Sequence, residues 1–201
     1  MGILTVDLFV TADGVYQAPG GADEDPSGGF GYGGWQAPYA DRESGEVIMA
    51  GIDRFDALLL GRRTYDIFAG YWPQRDDNRI GAKLNSAPKF VASRTLTDPS
   101  WAGTTVLRDP AAEVPALKQR LTETHVIGSG DLTRTLLGAG LVDRLNLYVY
   151  PVALGTGKRL FDGAAPTGFR LAEAPVGFPG GCVLLAYQPV GTPVTGIDME
   201  D

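Results

Sequence analysis

The sequence predicts an α/β fold whose sheet is parallel in its centre and antiparallel at its C-terminal edge. Short apolar runs rich in β-branched residues alternate along the chain with amphipathic helical segments, and this alternation is typical of parallel strands joined by helices. The last two apolar runs, at 169–174 and 182–188, follow one another with no helix between them. Two such runs joined by a short connection predict an antiparallel pair.

The composition limits the classes of function that this chain can have. Its 201 residues suffice for one domain, and 24 acidic against 17 basic residues give a formal charge of −7. This charge argues against nucleic acid and anionic membranes as partners. The N-terminal segment MGILTVDLFV predicts a strand rather than an export signal, and no apolar run approaches the roughly 20 residues of a transmembrane helix, so we expect a cytoplasmic protein.

The chain contains one cysteine and one histidine, Cys182 and His125. These counts exclude an internal disulfide and a Cys/His zinc site, and we expect no metal centre. Both residues lie in apolar runs. We therefore interpret them as core residues rather than as a nucleophile and a base.

The N-terminal part of the chain predicts a strand, a glycine-rich loop and a helix. Residues 3–10 predict a strand that ends in a turn carrying Asp13. The glycine-rich stretch 19–36 is either a lid or a floppy loop. Three aromatic residues in it would suit a flat aromatic substrate: Phe30, Tyr32 and Trp35. A helix over about 39–55 has Asp41 in its first turn, where a carboxylate serves the helix dipole or donates a proton.

Two further predicted strands end in polar corners. The apolar run 57–60 is followed by Gly61-Arg62-Arg63-Thr64 and a helix, and the run 88–92 ends at Ser93 and Arg94. Arginine offers the planar fork that recognises phosphate. The alternative is a set of solvated surface arginines. We favour phosphate recognition because a second strand-to-helix corner of this kind occurs later in the chain.

That second corner lies in the stretch 124–160, around which the remaining elements can be arranged. A β-branched run stops at Gly128-Ser129-Gly130, and a helix follows at once. Free backbone N–H groups and the helix dipole bind phosphate at such a turn, although Asp131 makes this corner less positive. The alternative is a tight turn with no ligand. All these corners follow predicted strands, at whose carboxyl ends α/β proteins collect ligands, so the sequence predicts a nucleotide-type site.

Five motifs, in this order and spacing, resemble the dihydrofolate reductase-like superfamily and, more closely, the reductase domain of bacterial riboflavin biosynthesis, the RibD C-terminal domain family. They are TADG at 11–14, LLLGRRTYDIF at 58–68, FVASR at 90–94, HVIGSGDLTRTLL at 125–137 and LVDRLNLYVYPVALGTGKRLF at 141–161. The resemblance implies a three-layer sandwich with helices on both faces of the sheet. It covers residues 1–188 as one domain and leaves 189–201 as a flexible acidic tail.

The resemblance also implies NADPH as the cofactor. It assigns the pyrophosphate and the adenosine 2′-phosphate to Gly61, Arg62, Arg63 and Thr64, and completion of the 2′-phosphate pocket to Ser93 and Arg94. The residues that would border the pyrophosphate and the nicotinamide are Gly128, Ser129, Gly130, Asp131 and Leu132. Folate reductases have a glycine where this chain has Ser129, often after a cis peptide, so the conformation of the Gly128–Ser129 bond is left open.

The substrate side leaves more alternatives. The resemblance assigns proton donation to Asp13 by its position in the TADG turn, or to Asp41 by its position near the first long helix. It implies reduction of a small heteroaromatic or carbonyl substrate, nominally 5-amino-6-(5-phosphoribosylamino)uracil, by a chain that lacks the zinc-dependent deaminase domain. A folate or pteridine reductase and a non-catalytic nucleotide-binding protein are the alternatives. Homodimerisation is common in this branch and is expected here.

Overall fold

The structure, a computed structural model, describes residues 1–198, and over this part of the chain all the strands join one sheet. The strands are β1 (Ile3–Thr11), β2 (Ala57–Gly61), β3 (Lys89–Ala92), β4 (Thr104–Leu107), β5 (Glu123–Ile127), β6 (Arg144–Tyr150), β7 (Gly168–Leu171), β8 (Val176–Gly177) and β9 (Val183–Gly191). The α-helices are α1 (Arg42–Arg54), α2 (Arg62–Tyr71), α3 (Arg79–Ser86), α4 (Pro110–Arg120) and α5 (Gly130–Gly138).

The sheet confirms the predicted fold class. Its strand order is β4-β3-β2-β5-β1-β6-β9-β7, with β8 paired to β9. The strands from β4 to β6 in this order are parallel to one another, whereas β9 runs antiparallel to β6, β7 and β8. Since β1 lies between β5 and β6, the first strand of the chain lies in the middle of the sheet.

The C-terminal strands differ from the expected boundaries. β9 continues to Gly191, which pairs with Gly168, so the sheet extends past the domain end predicted at residue 188. Pro189 is accepted in this strand because the ladder is irregular beside it, between Gly168 and Phe169. Residues 192–198 carry no helix or strand. The acidic end of the expected tail, at 199–201, lies outside the described residues.

Helices cover both faces of the sheet, as the resemblance implies. Side chains alternate between the faces along a strand, so Leu59 of β2 packs in one cluster with residues of α4 and α5. Its neighbours Leu58 and Leu60 pack in a second cluster with residues of α1, α2 and α3. Within residues 1–198, none of the helices combines the length and the apolar character that crossing a membrane requires.

A third apolar cluster anchors the glycine-rich loop at 19–36. Phe30 and Trp35 are 7% and 6% exposed and pack around Tyr150 and Cys182 at the outer half of the sheet. The indole Nε1 of Trp35 also donates a hydrogen bond to the Gln17 carbonyl at 2.7 Å. The loop is therefore folded onto the domain. Cys182 is fully buried, and burial raises the pKa of its thiol to about 11, consistent with a core residue.

Candidate active site

The carboxyl ends of the central strands open into a cleft of about 1630 Å³. All the residues predicted to bind the cofactor line it, from the corners that follow β2, β3 and β5: Gly61, Arg62, Arg63, Thr64, Ser93, Arg94, Gly128, Ser129, Gly130, Asp131 and Leu132. These residues are distant in sequence and meet because β2 is the shared neighbour of β3 and β5 in the sheet.

Ser129 ties the two strand-to-helix corners together. Its hydroxyl accepts a hydrogen bond from the Gly61 N–H at 3.0 Å and donates one to the Ile127 carbonyl at 3.1 Å. Its own N–H donates to Thr64 Oγ1 at 3.1 Å. Neither α2 nor α5 has a capping side chain at its N-terminus. Two helix N-termini with uncapped N–H groups therefore lie side by side on the cleft, which suits an anionic ligand.

The glycine turn has a conformation that the sequence left open. Within residues 1–198 every peptide bond is trans, so the bond between Gly128 and Ser129 is trans. Both residues have positive φ angles, 60° and 57°. A left-handed conformation costs a non-glycine residue about 1–2 kcal/mol, which the three hydrogen bonds of Ser129 offset.

Tyr16 is a cleft residue that the sequence did not indicate. Its ring lies against Gly130 so closely that a Cβ built there would be 2.3 Å from Tyr16 Cζ. Burial raises the pKa of the Tyr16 hydroxyl, with the nearby charge of Asp131 acting in the same direction. Glycine at position 130 thus permits the close approach of the Tyr16 ring.

The cations of the cleft differ in how far they are already paired. Arg62 contacts the Asp66 carboxylate at 2.8 Å, and Arg63 donates to Ser27 Oγ at 3.2 Å. Arg94 is exposed and forms no ion pair or hydrogen bond with any residue in the part of the chain that the structure describes. Its guanidinium group is accordingly available to an anion in the cleft.

Lys158, which the sequence analysis did not assign to the site, also lines the cleft. Its Nζ lies 2.5 Å from Asp25 Oδ2 and 2.7 Å from Ser27 Oγ. Although burial disfavours the charge of Asp25, its hydrogen bonds from Lys158 and Ser27 hold its pKa below the usual range. This ion pair fastens the glycine-rich loop, whose residues 19–21 and 23–25 form one wall of the cleft.

A second cavity, of about 790 Å³, adjoins the cleft beneath α1. Its walls are largely apolar, and the two cavities share five lining residues: Phe9, Gln36, Phe68, Trp72 and Ile127. At the sheet side it is lined by Asp7 of β1 and Tyr148 of β6. Charged side chains also line it, among them Arg42, Glu46, Asp53 and Arg79. A largely apolar cavity with convergent polar groups is the usual form of a site for a small ligand.

The three aromatic residues of the glycine-rich loop do not line either cavity. Phe30 and Trp35 instead pack into the third apolar cluster, and Tyr32 is 54% exposed. The interpretation of these rings as a platform for a flat substrate is therefore wrong. Burying two of them against Tyr150 removes more apolar surface from water than an open loop would.

Asp13, one of the two predicted proton donors, lies outside both cavities. Its carboxylate accepts hydrogen bonds from Thr11 Oγ1 at 2.6 Å and from the Gly155 N–H at 2.8 Å, and it pairs with Arg159 at 3.1 Å. The bond from Thr11 is the main cause that lowers the pKa of Asp13. The carboxylate holds the connection after β6 in place, because the turn after β1 directs it there and not towards the cleft.

Asp41, the other predicted donor, also lies outside both cavities. It precedes α1 as the N-cap and accepts bonds from the Ser44 N–H at 2.9 Å and the Ser44 hydroxyl at 2.8 Å. These bonds, led by the one from the backbone, lower the pKa of Asp41. The geometry gives this carboxylate a helix-capping role, so the predicted proton-donor role has no support from its position.

The strand order and the cleft at the carboxyl ends of the strands define an α/β protein of the dihydrofolate reductase-like class. The chain belongs to the RibD C-terminal domain family, whose model matches residues 3–177. This confirms the resemblance seen in the sequence. The membership supports a reductase-like function and a nicotinamide cofactor in general terms.

Individual relatives agree with this assignment. An uncharacterized protein of Bacillus subtilis (strain 168), YyaP, is 27% identical over 167 residues, which is 79% of each chain. A putative riboflavin biosynthesis protein from Shewanella sp. PV-4 superposes with a TM-score of 0.64 at 19% identity, covering 93% of this chain and 98% of that one. A pyrimidine reductase-like protein from Corynebacterium diphtheriae gives 0.63 at 16% identity, covering 94% and 92%. The two solved structures share the fold with this chain.

Proposed function

We propose that this protein is an NADPH-dependent reductase that transfers a hydride to a small heteroaromatic or carbonyl substrate. The observation that carries the proposal is a cleft with two uncapped helix N-termini tied together by Ser129, opening onto a largely apolar cavity. The first half suits a dinucleotide with its phosphates, and the second suits an uncharged ring. NADPH supplies the hydride when it is bound, and the chain supplies binding, orientation and a proton.

The choice of NADPH over NADH rests on the cations. The helix N-termini suffice for a pyrophosphate, whereas a 2′-phosphate adds charge that needs partners beyond them. Arg62, Arg63 and Arg94 line the same cleft at the ends of β2 and β3, and the Arg94 guanidinium has no partner within residues 1–198. Charge-assisted hydrogen bonds from such a group favour a phosphorylated nucleotide by about 1.5–3 kcal/mol.

The proposed substrate is taken from the family to which the chain belongs. The ring of a pyrimidine intermediate of riboflavin synthesis agrees with the size and the apolar part of the cavity beneath α1, whereas its phosphoribosyl group would need the cations that also line this cavity, Arg42 and Arg79. A nucleotide-binding protein without turnover is the second candidate, because both predicted proton donors have structural roles outside the cavities. Asp7, which does line the cavity, favours the reductase over this candidate.

Titration of the protein with NADPH and NADH, followed by cofactor fluorescence, tests the cofactor assignment. We expect NADPH to bind at micromolar concentrations and more tightly than NADH. Arg94→Ala should weaken NADPH about 10-fold to 100-fold and leave NADH unchanged, since about 1.4 kcal/mol corresponds to a factor of 10. Arg120→Ala, at the exposed C-terminal end of α4 and outside both cavities, is the matched control.

A screen of NADPH oxidation with pyrimidine, pteridine and simple carbonyl compounds then separates the reductase from the binder. Oxidation that depends on one of these compounds supports the reductase. Tight NADPH binding with no oxidation in the whole screen supports the binder. Failure to bind either nucleotide contradicts both, and the strand-end corners are then only turns.

A further inference from the structure

His125, the single histidine of the chain, lies between two carboxylates. Its Nδ1 is 2.6 Å from Asp7 Oδ2 and its Nε2 is 2.6 Å from Glu123 Oε1, and its side chain is only 1% exposed. A neutral imidazole has one N–H, so it can donate only one of these two bonds. Both bonds form only if the ring is an imidazolium or if one carboxyl group is protonated. The three side chains therefore share a proton.

The surroundings favour the imidazolium. Burial disfavours the charged ring, but the hydrogen bonds and negative charges of Asp7 and Glu123 raise the pKa of His125 overall. The other groups that face this set include Arg54, whose Nε is 3.8 Å from Glu123 Oε2, and Asn146, which donates to Asp7 Oδ1 at 2.8 Å. Tyr148 of β6 also faces Asp7, and burial together with the charge of Asp7 raises the pKa of its hydroxyl. The ring of Phe55, the residue that follows α1, packs against His125, with the ring centroids 5.5 Å apart.

Only one of the three side chains lines either of the two cavities described above. Asp7 lines the cavity beneath α1, whereas His125 and Glu123 do not line it. Asp7 is held in place on both sides, because Oδ1 accepts from Asn146 while Oδ2 faces His125. The shared proton is thus accessible from the cavity through the Asp7 carboxyl group.

We propose that Asp7 delivers the proton in the reduction and that His125 is the positioning residue that keeps this proton available. The inference rests on the proposed reductase function. A hydride supplied by the bound cofactor would form the C–H bond, the electron pair of the substrate C=N or C=O bond would move to the heteroatom, and that atom would take the proton that Asp7 passes on from His125. The Nδ1 proton of His125 moves to the Asp7 carboxylate, which leaves a neutral imidazole that still donates from Nε2 to Glu123. Water recharges the pair after the product leaves.

The proton arrangement can be measured directly because the chain has one histidine. In ¹⁵N-labelled protein, the two ring nitrogens of His125 give the only histidine side-chain signals in the NMR spectrum. Their chemical shifts show whether the ring is an imidazolium or one of the two neutral tautomers. We expect both nitrogens to be protonated at pH 7.5 in the wild type and the ring to become neutral at that pH in Asp7→Asn. A wild-type ring that titrates near the ordinary value of about 6.5 and is unaffected by Asp7→Asn overturns the inference. Asp98→Asn, in the exposed connection between β3 and β4, is the control for loss of a carboxylate.

Turnover supplies the second readout, using the compound that the NADPH oxidation screen identifies. Asp7→Asn should lower kcat about 10²-fold to 10⁴-fold while NADPH affinity stays unchanged. His125→Gln should lower kcat less and shift its pH profile. In the wild type, kcat should fall with rising pH through the same pKa that NMR gives for His125. This comparison uses wild-type protein alone, so it does not depend on the folding of any variant.

The outcomes separate this inference from the function on which it rests. Unchanged kcat and pH profile in Asp7→Asn, with intact NADPH oxidation, overturn the role of Asp7 and leave the reductase in place. Wild-type protein that binds no NADPH or oxidises none overturns the reductase and the proton-delivery role with it. In that case the NMR titration still tests whether the three side chains share a proton.

Discussion

Replacing Gly130 with alanine tests whether Tyr16 fixes the shape of the nucleotide cleft. The added Cβ would lie 2.3 Å from Cζ and 2.5 Å from the hydroxyl oxygen of Tyr16, so the ring must move, and the cleft that it lines offers the room. Overpacking costs about 1–3 kcal/mol, and we expect the lower end because the contact is with the far end of a side chain. We expect NADPH affinity to fall at least about 10-fold, since the displaced ring takes up space in the cleft.

Gly138→Ala is the matched control, because Gly138 lies in the same helix and a Cβ there meets nothing within 4 Å. It should leave NADPH affinity unchanged and raise the free energy of unfolding by up to about 1 kcal/mol. Urea unfolding and fluorescence titration would be measured for both variants and for Gly130→Ala in a Tyr16→Ala background. There the loss caused by Gly130→Ala should disappear. The reasoning is refuted if Gly130→Ala matches the wild type in both assays, or if its effect persists without the Tyr16 ring.

Three further predictions concern stability and assembly. Lys89 is buried and its Nζ donates to the carbonyls that end α3, at 2.7–3.0 Å, so Lys89→Met should lower the free energy of unfolding by about 2–3 kcal/mol, against about 1 kcal/mol or less for Lys83→Met, a half-buried lysine whose Nζ donates one hydrogen bond, to the Asp53 carbonyl, both from urea melts. The lowered pKa of Asp13 contributes stability that is present above its unfolded value of 3.8 and is lost as the pH falls below it. Wild-type protein should therefore lose more stability than Asp13→Asn between pH 5 and pH 3, and equal losses would contradict this. The exposed apolar residues Leu171 and Val190, on β7 and β9, are 46% and 55% exposed, and we expect a homodimer through this edge. Light scattering should show a dimer for the wild type and a monomer for Leu171→Glu, whereas a wild-type monomer contradicts the expectation.

The cleft at the carboxyl ends of the strands could be predicted from the sequence because its parts are local. Gly61 and Gly128 each follow a buried strand and precede a helix within a few residues, so the corner, the helix N-terminus and their electrostatic character are all encoded in one short stretch. Parallel strands then bring such corners to the same edge of the sheet whatever their order. The β9 boundary was missed because a proline normally ends a strand, and the bulge at Gly168 that accepts Pro189 depends on the partner strand.

The contacts of Asp7 and Tyr16 could not be predicted because they join distant parts of the chain. Asp7 appears in the sequence as one polar residue of an alternating strand, and His125 as a polar residue in a buried one. They meet only because β1 pairs with β5 in the register that places Asp7 opposite Ile127. Tyr16 likewise carries no local signal, since its packing on Gly130 depends on the path of the turn after β1. Asp13 and Asp41 do stand in recognisable local sequence patterns, but those patterns are the ones of a turn residue and of a helix N-cap.

The two cavities are made from different kinds of parts, and they are free to change at different rates. The cleft at the strand ends is built from backbone N–H groups, glycine conformations and helix ends, which few substitutions can preserve. The cavity beneath α1 is shaped by side chains such as Ile48, Met49 and Ile52 on one face of a single helix. Replacements on that face would reshape the room for the second ligand and leave the first untouched. With the cofactor and the substrate placed as we propose, such a scaffold can acquire new substrates while it keeps one cofactor.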